Sequence, residues 1–282
     1  MIDAGGPIGV FDSGMGGLTV LRALRSALPQ ERFVYLGDTA RLPYGTKSAA
    51  SVVRYSLQCA DALVARGIRC LVVACNTASA SALDALRLRY PGIPVFGVIE
   101  PGAAAAVAVS RTRHIAVIGT EGTIGGGAYQ AAIRRLDARV RVTALACSLF
   151  VAVAEEGWVE GPIAEAIARR YLEPIFCGGQ SRAAACEVPD TLVLGCTHFP
   201  VLAAAVRAVL PDHVALVDSA ATAAAAVARE LPAAANPSGR GGLSWLAGVS
   251  WLATDGAARF ARVSGIFLGE ALRPEDVEII DL

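Results

Sequence analysis

Two stretches of this chain share one pattern, an apolar run that ends in a cysteine and passes at once into small polar residues. They are LVVACNTASA at 71–80 and LVLGCTHFP at 192–200. Each reads as a buried parallel strand that hands over, at its carboxyl end, to residues suited to opening a helix. A second pair of stretches repeats in the same order. IGVFDSGMGGL (8–18) and HIAVIGTEGTI (114–124) each put a short aliphatic strand before a hydroxyl residue, Ser13 or Thr120, and a glycine turn. Strand with hydroxyl turn, then strand with cysteine, occurs twice. A duplication into two similar halves explains this with one assumption, where chance requires several coincidences.

Between these marks strands and helices alternate. A helix is expected to end before Pro29, a strand and polar loop to fill 33–48, and further helices to span 49–66 and 78–90. Strands are expected at 70–74 and 94–101. Such alternation means a mostly parallel sheet covered on both faces. The expected fold class is therefore α/β, with two pseudo-symmetric, doubly wound parallel-sheet domains and the active site in the cleft between them, since open α/β sheets bind ligands at the carboxyl ends of their strands. The first domain is expected to comprise 1–100 plus 211–282 and to carry Asp12 and Cys75. The second is 101–210 and carries Cys196. The chain would cross at 100–102, ahead of a helix at 103–109, and return near Pro211. Beyond that point 214–220 reads as a strand end and 221–231 as a helix. Residues 232–242 form a low-complexity loop, and the closing VEIIDL an edge strand packed on the first domain.

Basic and acidic residues balance at 25 each, so no global field for nucleic acid or an anionic membrane exists. Apolar residues make up 54%, but charge or glycine interrupts them before a spanning length. With no leader pattern at the start, a cytoplasmic address is expected. Seven cysteines without a CxxC pair suit free thiols in a reducing compartment. His114, His198 and His213 form no HxxxH or HxH pair, so no metal is expected. Lys47 is the single lysine, and it sits in a loop beside a Tyr-Gly turn with no partner for a pyridine ring. A pyridoxal enzyme is thus disfavoured and no cofactor is expected. GMGG lacks the GxGxxG spacing of a dinucleotide site.

Cys59, Cys70, Cys147, Cys177 and Cys186 are accounted for as small buried residues. Cys75 and Cys196 differ, because each precedes hydroxyl and amide groups at a helix start, where backbone N–H groups and the dipole are expected to lower a thiol pKa from about 8.5. Such a thiol is a general acid/base. Two of them on opposed walls suit inversion of a stereocentre, one removing a hydrogen from one face and the other returning it to the opposite face. The competing use is nucleophilic. His198 lies two residues from Cys196, which would suit a cysteine hydrolase or amidotransferase, though Cys75 would then have no role. Asp12 either caps its turn or accepts a substrate ammonium or a thiol proton. Tyr44 and Gly45 form a tight turn whose N–H groups are suited to holding a carboxylate.

DSGMGGLTV (12–20), LGDTARLPYGTKS (36–48), ACNTAS (74–79), GVIEPG (97–102), GTEGTI (119–124) and GCTHFP (195–200) together resemble the cofactor-independent aspartate/glutamate racemase family, its glutamate racemases in particular. The resemblance implies that Cys75 and Cys196 are the catalytic acid/base pair, the first working on D-glutamate and the second on L-glutamate. Asp12 and His198 would assist them, with Glu155 as a third assisting acid. Asp12, Ser13, Tyr44, Gly45, Asn76, Thr77, Thr120, Thr123, Thr197 and His198 would line the substrate site. It further implies a homodimer and a supply of D-glutamate for peptidoglycan. A racemase of aspartate or another amino acid stays open on the residues themselves. Departures from the family pattern are Ser148 and Ala152, where proline is common, and Gly126, where serine is common. The stretch 237–253 is longer and more apolar than expected, and Trp245 and Trp251 belong there either to a subunit contact or to the core.

Overall fold

Side chains of period two sort the central strands between two cores. In β1 (Ile8–Asp12), Ile8 and Val10 enter one apolar cluster and Phe11 the other; in β3 (Cys70–Val73), Cys70 and Val72 join the first, Leu71 and Val73 the second. A strand buried on both faces is apolar along its length, and these are, up to the buried carboxylate of Asp12 that ends β1. The computed structural model describes residues 5–176, 188–231 and 248–282. All strand pairs in them are parallel.

The first half runs β1, α1 (Leu18–Ala27), β2 (Phe33–Gly37), a 3-10 turn at Tyr44–Thr46, α2 (Ala49–Val64), β3, α3 (Asn76–Ser81), α4 (Leu83–Arg89) and β4 (Val95–Gly97). After α5 (Ile99–Val109) the second half runs β5 (His114–Gly119), α6 (Glu121–Gly125), α7 (Ala128–Leu136), β6 (Arg141–Ala146), α8 (Leu149–Glu155), α9 (Pro162–Phe176), β7 (Thr191–Gly195), α10 (Ala203–Val209) and β8 (Ala215–Asp218). Then come α11 (Ser219–Glu230), β9 (Val249–Ala253), α12 (Ala257–Leu268) and β10 (Val277–Ile279). The sheets are ordered β10-β9-β2-β1-β3-β4 and β6-β5-β7-β8. The run β2-β1-β3-β4 has its counterpart in β6-β5-β7-β8, strand for strand, so the two halves share one topology as well as one sequence pattern.

That equivalence corrects the expected return near Pro211. Residues 215–218 pair with β7, Leu192 opposite Leu216, and so belong to the second sheet, as the counterpart of β4. Among the described residues the strand order reaches the first sheet again at β9, which pairs with β2. Pro211 merely follows α10, and no local signal marks the crossing. The closing strand β10 does form an edge of the first sheet. Trp251 of β9 is buried with its ring 6.3 Å from that of Tyr35, so it serves the core; Trp245 lies outside the described residues, as do Cys177 and Cys186.

Two further elements differ from expectation. The helix expected at 78–90 is two, because Ser79 Oγ donates to Val73 O at 2.9 Å and accepts from Val98 N at 3.3 Å, tying that turn to β3 and to the start of α5. The strand expected at 94–101 stops at Gly97, and Pro101 falls in the first turn of α5, where its missing N–H is no loss. Among the described residues no helix is long and apolar enough to cross a membrane.

Candidate active site

In each half the strand order reverses beside the first strand, between β1 and β3 and between β5 and β7. Crevices form at such switch points, outside the carboxyl ends of the strands. Phe11 pairs with Val73, and Ala74 N donates to Phe11 O at 2.9 Å, so Cys75 emerges beside Asp12 and Ser13. In the other half Gly119 pairs with Gly195, which sets Cys196 beside Thr120. The residues following each cysteine then reach across to the opposite half.

Cys75 caps α3: its sulfur accepts from Ala78 N at 3.4 Å and donates to Ser13 Oγ at 3.6 Å. The expected lowering of its pKa does not occur. Burial raises the thiol, the charge of Asp12 raises it further, and the Ala78 N–H and Ser13 hydroxyl offset only part, leaving it at about 12. A helix of six residues contributes little dipole against full desolvation. Charge on Cys196 also acts on Cys75, so the two sulfurs share one electrostatic environment. Asp12 is fully buried, accepts from Gly14 N at 3.0 Å, and has its pKa raised by burial against the opposing pull of His198.

The second wall is built differently. His198 Nδ1 lies 3.7 Å from Cys196 Sγ and its Nε2 lies 3.1 Å from Glu155 Oε1. Burial by itself would depress the imidazole. The hydrogen bonds to Cys196 and Glu155, with the charges of Cys196 and Asp12, outweigh it and hold His198 at about 10. Glu155 is only 10% exposed, so it is not a solvated helix end; despite burial its pKa is lowered by His198 and Arg259. Its second oxygen accepts from Arg259 Nη2 at 2.7 Å.

Four contacts close the crevice between the halves. Thr197 Oγ1 donates to Asp12 Oδ1 at 3.5 Å and Thr19 Oγ1 to Thr197 O at 2.9 Å. Tyr129 OH donates to Asn76 Oδ1 at 2.8 Å, leaving Asn76 Nδ2 buried without a partner. The hydroxyls of Thr77, Thr120 and Thr123 form a triangle of 2.9, 3.1 and 3.1 Å. Gly16 explains the GMGG turn: a Cβ there would lie 2.5 Å from two ring atoms of His198, so only glycine lets the halves approach. At Gly45 a Cβ would lie 2.6 Å from Thr120 Cβ, and here too backbone takes the place of a side chain.

Asp12, Ser13, Cys75, Asn76, Thr77, Thr120, Thr123, Cys196, Thr197, His198 and Glu155 thus come together. Gly45 joins them through its backbone, which lies against Thr120, whereas Tyr44 does not bring its side chain there: its ring is fully buried in the first half and its hydroxyl bonds to Asp38. Arg259 and Tyr129 escaped sequence reasoning. An arginine on an amphipathic helix 104 positions from its partner carries no local mark, and Tyr129 looks like any helical aromatic.

This geometry is accompanied by clear relationships. Residues 8–227 match the family described as Asp/Glu/Hydantoin racemase, and the chain belongs to it. It is an amino-acid racemase, an isomerase. Among the curated relatives it is similar to the glutamate racemase of Geobacter metallireducens, 49% identical with 94% of this chain and 93% of the relative covered. Among solved structures it is similar to glutamate racemase from Thermus thermophilus in complex with beta-chloro-D-alanine, at 42% identity and a TM-score of 0.83 over 99% and 98% of the two chains. Glutamate racemase from Francisella tularensis in complex with D-glutamate gives 32% and 0.82, again over 99% and 98%.

Proposed function

We propose that this protein interconverts L- and D-glutamate by proton transfer between Cys75 and Cys196, without a cofactor, and supplies D-glutamate for peptidoglycan. The observation that carries the reading is the pair of thiols at the facing carboxyl ends of two equivalent strands, β3 and β7. The identities of the relatives support the substrate.

With L-glutamate, Cys196 as thiolate takes the α-proton while the C–H electron pair stays on Cα and spreads into the carboxylate. Cys75 gives its S–H proton to the opposite face. Cys196 ends as thiol and Cys75 as thiolate, the pattern from which D-glutamate is converted back. The raised pKa of Cys75 suits it to wait as the acid, and His198 at about 10 offers Cys196 a cationic partner. A bound α-ammonium beside Asp12 would offset the charge that opposes ionisation of Cys75. The free Nδ2 of Asn76 is available to the α-carboxylate as it gains charge, and fixed donors in a water-poor site stabilise such charge without reorganising. The threonine triangle and the turn backbone at Tyr44 and Gly45 are suited to the side-chain carboxylate. The same reading has the enzyme acting in the cytoplasm as a homodimer.

Cys196, His198 and Glu155 also have the order of nucleophile, base and orienting acid. A hydrolase would use them and leave Cys75, Asp12 and Ser13 idle. The test is proton NMR of L- and D-glutamate in D2O with wild type, Cys75→Ser and Cys196→Ser. Loss of the α-proton signal with racemisation in wild type, crippled in both variants, is expected. An acyl-enzyme on Cys196 with no α-exchange would favour the hydrolase instead, and exchange on aspartate alone would change the substrate.

A further inference from the structure

Glu155 divides its carboxylate between two partners on different halves of the molecule. Oε1 faces His198 Nε2 at 3.1 Å, and Oε2 accepts from Arg259 Nη2 at 2.7 Å. Glu155 and His198 belong to the second half, whereas Arg259 lies on α12, which follows β9 of the first sheet. The same helix carries Phe267, whose ring meets that of His198 edge-on at 5.2 Å. Helix α12 therefore supports the imidazole twice, directly through Phe267 and indirectly through the carboxylate that Arg259 holds. Among the described residues nothing comparable serves the other thiol: the polar contacts of Cys75 there are Ser13 and Ala78, both from the first half and neither on α12.

We propose that Arg259 is a positioning residue for one of the two proton transfers: by fixing Glu155 it keeps His198 Nδ1 aimed at Cys196, and neither it nor Glu155 hydrogen-bonds to Cys75. The inference rests on the two-thiol reading above. A terminal carboxylate torsion is broad, so Glu155 freed from Arg259 would swing toward water and take the imidazole with it. The guanidinium is half exposed and its carboxylate nearly enclosed, so the ion pair is anchored from the rim inward.

The test exploits this one-sidedness. Primary isotope effects are measured with α-deuterated L-glutamate and α-deuterated D-glutamate on wild type, Arg259→Gln and Arg259→Lys. Cys75→Ser and Cys196→Ser, at their residual rates, mark which isomer's isotope effect reports on which thiol. Arg262→Ala, exposed on the same helix, is the control and should match wild type. In Arg259→Gln kcat should fall about tenfold, the lower end of what losing an outer partner of a functional histidine costs at metal sites. The two isotope effects should diverge, one rising and the other falling, in the sense set by Cys196→Ser, and Arg259→Lys should restore most of both. An unchanged kcat, isotope effects that scale together, or divergence in the sense of Cys75→Ser would overturn the proposal. Failure of wild type to exchange the α-proton of glutamate would instead overturn the reading on which it rests.

Discussion

Glu155→Gln isolates the charge that the second wall is built around. The gap between 6.5 and about 10 for His198 corresponds to about 5 kcal/mol in favour of the imidazolium. Cys196, Glu155 and Asp12 share in it, against the burial that opposes it. Glutamine keeps the shape and an acceptor oxygen but loses the charge. A hydrogen bond to a charged group contributes about 1.5–3 kcal/mol, and a neutral one about half that. The substitution should therefore remove about 0.8–1.5 kcal/mol and bring the His198 midpoint down by about half to one pH unit. Long-range proton–nitrogen NMR of the three histidines, with His198→Gln to assign the resonance, reads the midpoint directly. Stability should follow. Because the folded pKa of His198 lies above its unfolded value, its contribution is complete below pH 6.5 and disappears as pH rises through about 10. Glu155 works in the opposite sense, its lowered pKa stabilising the fold above the ordinary value of 4.5 and losing that contribution as pH falls through the depressed one. Urea melts should thus show the variant nearer to wild type at alkaline pH, where His198 has lost its proton, than at neutral pH. A wild-type midpoint near 6.5, or one that glutamine does not move, would refute the electrostatic account of this wall.

Three other outcomes are expected. Gly16→Ala puts a methyl group 2.5 Å from His198 ring atoms, so kcat should drop at least tenfold and thermal melting should report about 1–3 kcal/mol of overpacking. Thr77→Val removes the hydroxyl bonded to both Thr120 and Thr123; one such loss, about 1 kcal/mol, should raise KM for glutamate several-fold with kcat little changed. Iodoacetamide labelling of Cys75, followed by peptide mass spectrometry, should be slow at pH 8 and still rising at pH 10, because the thiol is held at about 12 by burial and by Asp12, and Asp12→Asn should accelerate it; half-maximal labelling near pH 8.5 in the unsubstituted protein would contradict that.

Much of the fold was legible because buried parallel strands must be apolar along their whole length and must end abruptly. Ile8–Asp12, Cys70–Val73, His114–Gly119 and Thr191–Gly195 are four such runs, apolar but for Asp12, His114 and Thr191 at their ends, and the candidate site is built from Asp12 and from Cys75, Thr120 and Cys196 just past the other three. The crossing after β8 was not legible, since Ala215–Asp218 would suit an edge of either sheet by composition. Following the duplication to its fourth strand, β4 against β8, would have assigned it. The ionisation of Cys75 is hidden from the sequence for a related reason. A cap position is visible in the sequence, but full burial and the charge of Asp12, 63 positions earlier, are not, and they outweigh one N–H.

The sequence by itself determined the duplicated α/β architecture and the placing of Cys75 and Cys196 at equivalent strand ends, because strand periodicity and the polar residues that follow a strand are local properties. Only the tertiary structure decided how those thiols differ. Cys75 received Ser13 and Asp12, and Cys196 received His198, Glu155 and, at one remove, Arg259 from the opposite half. Electrostatic partners act over a few ångströms of space whatever their separation along the chain, so two nearly equivalent sequence units were given unlike surroundings by the way they fold against each other.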